Sequence, residues 1–372
     1  PPPPPPPPTP PPPPPPTPYN HRRQRQMCIR DSLKPYEAAI QVTDTIRLNA
    51  NEAPWASDAD SYRRPLNRYP EIRPARLRTA LAERFETAAE QLLVTRGSSE
   101  AIDLLIRAFC RAGVDNVVTT APTFSMYRHY AEIQGAEIRP VATDPAKDFQ
   151  PDVSALLAAC DERTRLVFLC SPNNPTGTAL PEGFLTGFLE ARGERSVVVV
   201  DEAYIEFSAG PSMVAALDDW PNLVVLRTLS KALACAGARC GAVIGPRDVI
   251  DMLNSIQAPY ALATPVVESI EDALSGRWLG VATRKVAEIV AERERVRRTL
   301  ADNALVTRVW PSAANFLLVE VSDVAAVMAA SRSAGILLRY FGGDLERCIR
   351  ISIGTAAEND ALLKVFAGLE AN

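Results

Sequence analysis

The chain has 372 residues, 47% hydrophobic and 23% charged, enough for one large domain and a smaller one. With 40 basic against 44 acidic residues the net charge is −4, which gives no electrostatic footing for nucleic acid or an anionic membrane. Its apolar runs, such as Ser196–Val200 and Leu166–Cys170, fall far short of the roughly 20 residues that span a bilayer, and seven scattered cysteines without a C-x-x-C pair point to no disulfide framework and no metal site, as for reduced thiols in a cytoplasmic protein.

Residues 1–18 are proline broken only by Thr9 and Thr17, a composition that forms at most a solvated polyproline II rod. The basic run after it, "YNHRRQRQMCIRDS", has neither the apolar core of a secretory signal nor the amphipathic pattern of a transit peptide. Residues 1–32 are therefore expected to be a leader outside the fold, disordered or foreign to the natural chain.

From Leu33 onward short β-branched runs alternate with segments of helical period. Gln91–Thr95 reads as a strand, and Ile102, Leu105, Ile106 and Phe109 then recur at helical spacing. Further strands are expected at Asn116–Thr120, Arg165–Cys170, Ser196–Val200, Asn222–Leu226 and Gly241–Gly245. Several lack polar alternation, as strands buried on both faces do, so the class is α/β with a largely parallel sheet. After a charged helical stretch, Lys285–Leu300, the order is strand ("NFLLVEV"), helix (Asp323–Ala334), strand ("GILLR"), strand ("CIRISIG"), helix. The expected division is a large domain over 61–264 and a smaller α/β domain over 265–372.

In a parallel sheet, ligands bind beyond the carboxyl ends of the strands. After the first run comes "RGSSE", a glycine turn into a helix whose free N–H groups at Ser98 and Ser99 suit an anion, although such a turn also serves as an ordinary N-cap. The third is followed by "SPNNPTGT", a turn that presents the amide of Asn174, and the fourth by "DEAYIEF", with Asp201 and Tyr204 at its start. The fifth leads into "RTLSKALACAGARCG", which carries Thr228, Ser230, Lys231 and Arg239. Each has a plain structural explanation alone. Together they supply a phosphate cradle, an amide, a carboxylate, a phenol, a lysine and an arginine, the groups that pyridoxal 5'-phosphate requires.

The motifs "RLNANEAPW", "NRYPE", "RGSSEAIDLLIRAFC", "APTFSMY", "SPNNPTG", "VVVDEAYIEF", "RTLSKALACAGARCG", "APYALATP" and "IRISIGT" run through the chain from about Leu33 to its end. In this order they resemble the fold type I pyridoxal-phosphate aminotransferases, and within them the histidinol-phosphate aminotransferases. The resemblance implies an N-terminal arm over 33–60, a mostly parallel seven-stranded sheet flanked by helices, and a smaller C-terminal domain. It implies that Lys231 links covalently to the cofactor and acts as the base, that Asp201 pairs with the ring nitrogen, and that Asn174 and Tyr204 bond the phenolic oxygen. Phosphate would be held by Ser98, Ser99, Thr228, Ser230 and Arg239, with Phe124 over the ring face.

On the substrate side it implies Arg350 for a carboxylate, Arg339 for a substrate phosphate, and Asn49 and Asn51 at the entrance. Tyr69 would reach the cofactor phosphate of a partner subunit, which implies a homodimer with shared sites. Leu233 and Ala234 stand where the family usually has phenylalanine and glycine, and Ser99 where it often has aspartate. The implied reaction is transamination of L-histidinol phosphate with 2-oxoglutarate. A broad-specificity aromatic aminotransferase and a threonine-phosphate decarboxylase-like lyase share the same cofactor motifs.

Overall fold

The structure, a computed structural model, describes residues 46–370. The leader over 1–32 and the first part of the arm lie outside the described residues.

Seven strands form the larger sheet: β1 (Leu92–Thr95), β2 (Asn116–Ala121), β3 (Glu137–Ala142), β4 (Thr164–Cys170), β5 (Val197–Asp201), β6 (Leu223–Thr228) and β7 (Gly241–Ile244). Their spatial order is β1-β7-β6-β5-β4-β2-β3. The pairings from β6 through β5, β4 and β2 to β3 are parallel, whereas β7 is antiparallel to both β6 and β1. The valine runs form strands because both of their faces are covered. Val118, Val167, Val198 and Val225 pack on the side of helices Ala75–Arg84 and Phe184–Arg192, through Leu77, Leu81 and Phe188. Val117, Phe168, Val199 and Val224 pack on the opposite side, against helices Gly97–Phe109 and Arg247–Ile256.

β3 is a strand that the sequence reading does not anticipate. Its residues "EIRPVA" are half-exposed and include Pro140, which only an edge strand accommodates without losing a ladder bond. Helix Thr264–Ala273 places Val267 and Ile270 in the core of the larger sheet, and its Glu268 accepts the backbone N–H groups of Arg63 and Arg64 at 3.0 and 2.7 Å. The long helix Gly276–Ala301 then bridges two cores: Ala282 lies in that of the larger sheet, Val296 and Leu300 in that of the smaller.

The smaller sheet comprises β8 (Val306–Val309), β9 (Phe316–Val321), β10 (Arg339–Gly342) and β11 (Leu345–Ser352), in the antiparallel order β10-β11-β9-β8. Helices Val324–Ser333 and Ala356–Glu370 cover it. The strand expected over "GILLR" begins only at its last residue, Arg339. Leu337 is 84% exposed, so that apolar run is a connection, and the strand is the aromatic segment after it.

One backbone contact ties the sheet together beside its carboxyl edge. A Cβ on Gly241 would lie 2.7 Å from the Arg227 carbonyl oxygen and 3.0 Å from Gly97 Cα. Neither obstacle is a flexible side chain, so Gly241→Ala should destabilise the protein by about 2 kcal/mol, read as a lowered urea midpoint with an unchanged slope.

Candidate active site

A cavity of about 690 Å³ opens at the carboxyl edge of the larger sheet and is closed on one side by the hairpin β10–β11. Ser98, Ser99, Phe124, Asn174, Asp201, Tyr204, Thr228, Ser230, Lys231, Arg239, Arg339 and Arg350 all line it. Tyr69, Asn49 and Asn51 do not: Tyr69 is 49% exposed and stacks on Tyr260 with centroids 4.7 Å apart, and the two asparagines are exposed on the segment before the first helix.

One end of the cavity gathers donors that suit an anion. Helix Gly97–Phe109 starts directly after β1, so Ser98 and Ser99 lie in its first turn, where N–H groups have no partner within the helix. Beyond the end of β6, Thr228 Oγ1 donates to Ser230 Oγ at 3.0 Å, and Arg239 Nη1 donates to the same oxygen at 3.4 Å. Gly97 has φ +75°, and a Cβ there would come 2.8 Å from Arg239 Nη2; glycine is what lets the guanidinium lie over the helix start. The turn that brings Arg239 back is tight, with Ala234 at φ +55° and Arg239 at φ +51°. Ala234 thus adopts a left-handed conformation at the position where glycine is usual in the family that the sequence resembles.

Deeper in, Asp201 ends β5 and is only 2% exposed. Its Oδ2 accepts from Tyr127 Oη at 2.8 Å and its Oδ1 from the Ala203 N–H at 3.1 Å. Burial pushes its pKa up to about 6, against the opposing pull of these two hydrogen bonds. Among the described residues it has no ion-pair partner.

Tyr127 is a site residue that the sequence reading misses. It looks like a core aromatic in "PTFSMY" and partly is one, stacking on Phe168 (4.8 Å) and meeting Phe124 edge-on (5.7 Å). The available signal was its phenol, because a buried tyrosine hydroxyl needs a partner. Below the floor of the site, Arg227 donates to Glu206 at 2.7 Å and lies 3.6 Å from Glu202. Glu202 in turn accepts the Met213 N–H at 2.6 Å. This buried network braces the chain on either side of Asp201 and Thr228.

Across the cavity, Asn174 links the two domains. Its Nδ2 donates to Tyr204 Oη at 3.3 Å, and its Oδ1 accepts from Arg350 Nη1 at 2.5 Å. Burial first, and the nearby Cys170 second, hold the Tyr204 phenol well above its ordinary pKa. Lys231 opens onto the cavity with its amine 5.7 Å from the Tyr204 ring centre. Desolvation by the cavity walls, then the charges of Arg350 and Arg239, lower its pKa below that of an ordinary lysine, so more of the amine is neutral and able to accept a proton at a given pH.

The Asp201 carboxyl yields a testable linkage. It stays protonated in the fold up to about pH 6, whereas in the unfolded chain it ionises near pH ~4. A raised carboxyl pKa penalises the folded state as pH rises through that window. Asp201→Asn in ligand-free protein should therefore match the wild type near pH ~4 and exceed it by about 3 kcal/mol above pH ~7. Urea unfolding at the two pH values checks this, and a gap that does not widen with pH would refute it.

The aminotransferase class I and II family model matches residues 40–366. A histidinol-phosphate aminotransferase of Xylella fastidiosa is 44% identical over 337 residues, covering 90% of this chain and 92% of its own length. One from Xanthomonas campestris pv. campestris is 43% identical over 344 residues, covering 90% and 95%. Among solved structures, the histidinol-phosphate aminotransferase of Sinorhizobium meliloti in complex with pyridoxal-5'-phosphate aligns with a TM-score of 0.73 at 27% identity, over 82% of this chain and 84% of that one. A family match over that span, with relatives this similar along nine-tenths of the sequence, establishes that the chain belongs to the class I and II aminotransferases.

Proposed function

We propose that the protein uses pyridoxal 5'-phosphate to transaminate L-histidinol phosphate with 2-oxoglutarate, giving imidazole acetol phosphate and L-glutamate in L-histidine biosynthesis. What carries this reading is a lysine, a buried carboxylate and an anion cradle on one cavity, in a chain 44% identical to a relative named for that activity.

The residues suit the cofactor. Among the described residues Asp201 is a buried acid without a cation, and a protonated pyridine nitrogen would supply one. The cradle of Ser98, Ser99, Thr228, Ser230 and Arg239 contains donors and a guanidinium and no carboxylate, as a phosphate requires. Lys231 would hold the cofactor covalently, Phe124 would lie over its ring, and Asn174 and Tyr204 would bond its phenolic oxygen. Bound pyridoxal phosphate supplies an electron sink that allows the α-proton of an amine to leave.

The chain's own residues then do the rest. Once the donor's amine has displaced it from the cofactor, the freed Lys231 Nζ would take the proton from the donor's α-carbon and deliver it to the cofactor carbon that accepts it, and its lowered pKa favours the neutral form this needs. Asp201, kept in place by Tyr127 and the Ala203 N–H, would present its carboxylate to the ring nitrogen. Arg350 would receive a substrate carboxylate in bidentate fashion, and Arg339 the phosphate of the amino donor. Asn49 and Asn51 would line the substrate entrance. Tyr69, which does not line its own cavity, would complete the site of a partner subunit, making the enzyme a homodimer.

Two measurements test the reading. Purified protein should be yellow and should retain its cofactor after borohydride reduction and denaturation, and Lys231→Ala should not. A colourless wild type that takes up no pyridoxal phosphate would sink the proposal. In a donor panel, kcat/KM for histidinol phosphate should exceed that for phenylalanine on the order of a hundredfold. Carbon dioxide release from threonine phosphate would instead assign a lyase.

A further inference from the structure

Strands β10 and β11 place Arg339 directly opposite Arg350. Like charges in direct cross-strand register destabilise a ladder unless something offsets them. Among the described residues neither guanidinium has a carboxylate within ion-pair distance, even though Asp344 lies on the same wall. What the two share is a ring: the guanidinium carbons of Arg339 and Arg350 lie 5.3 and 5.5 Å from the centre of Phe341, within cation–π range.

The strand geometry explains how one ring serves both. Phe341 is two residues beyond Arg339, on the same face of β10, and the ladder slip between Tyr340 and Gly342 puts its extra residues on β11, opposite Phe341. The dependence is unequal. Arg350 also rests on Phe316 at 5.2 Å and donates to Asn174, whereas among the described residues Arg339 rests on the Phe341 ring alone.

We infer that Phe341 is a positioning residue that sets substrate specificity: its ring holds Arg339 at the cavity beside Arg350, so that two guanidinia meet one doubly charged phosphate group on the amino donor. A dianion neutralises the pair, whereas a single carboxylate needs only Arg350. This rests on the proposed function for the identity of the donor, and not for the geometry of the pair.

The test uses holoenzyme carrying Phe341→Leu, Phe341→Tyr, Arg339→Ala, or Phe341→Leu with Arg339→Ala. Kinetics are measured with histidinol phosphate and with histidinol, the same amine without the phosphate. Phe341→Leu should raise KM for histidinol phosphate about tenfold with kcat within about twofold, and leave histidinol unchanged. Phe341→Tyr keeps the ring face and should stay near the wild type, and the double variant should be no weaker than Arg339→Ala alone. An equal loss for both amines, a tyrosine variant as weak as the leucine one, or additive effects in the double variant would each overturn the inference. If the wild type does not turn over histidinol phosphate, the donor assignment fails and calorimetry with inorganic phosphate decides the role of Phe341. Binding about tenfold weaker in Phe341→Leu supports it, and unchanged binding refutes it.

Discussion

Strand β7 runs against both of its neighbours, and the anion cradle depends on that reversal. A parallel strand delivers to the carboxyl edge the residues after its last position; an antiparallel strand delivers those before its first. Arg239, two residues ahead of Gly241, therefore arrives where Ser98, Ser99 and Ser230 already are. The return is short, and Ala234 and Arg239 reach it through left-handed backbone that costs each of them about 1 kcal/mol. The close packing of Gly97, Gly241 and the Arg227 carbonyl keeps the edge tight enough for the guanidinium to cover the helix start.

Asp201 shows the same opposition between stability and use. Placing an acid at the buried end of a valine strand is unfavourable, and the fold offsets only part of that cost, with one phenol and one N–H. The remainder is a standing affinity for a cation in the cavity. The Arg227, Glu202 and Glu206 network beneath it plays a different part, pairing one guanidinium with two carboxylates beside the turn that carries Asp201 and Tyr204.

Much of this was legible from strand ends. The runs ending at Thr95, Cys170, Val200 and Leu226 are apolar enough to read as buried strands, and residues just past each of them line the cavity. β3 was not legible, because an edge strand with a proline and half-exposed side chains carries little periodic signal. The start of β10 was misplaced because hydrophobicity favoured Ile336–Leu338 over the aromatic pair that forms the strand. Tyr127 was missed for a different reason: its ring packs as core and only its hydroxyl serves the site, a division within one side chain that sequence pattern does not express. The reversal of β7 was equally hidden, since a short apolar run reads the same in either direction.

The cavity wall gathers Lys231, Arg239, Arg339 and Arg350 against Asp201 and Asp344, within a chain whose overall charge is −4. Charge is thus segregated, with a cationic mouth in an acidic body. Such a mouth draws anionic solutes by long-range attraction, so encounter rates fall steeply as salt is added. It is also indiscriminate at a distance. Sulfate or phosphate in a buffer is attracted by the same field as an amino donor or an oxo acid, and an apparent KM measured in such a buffer belongs partly to the competing ion.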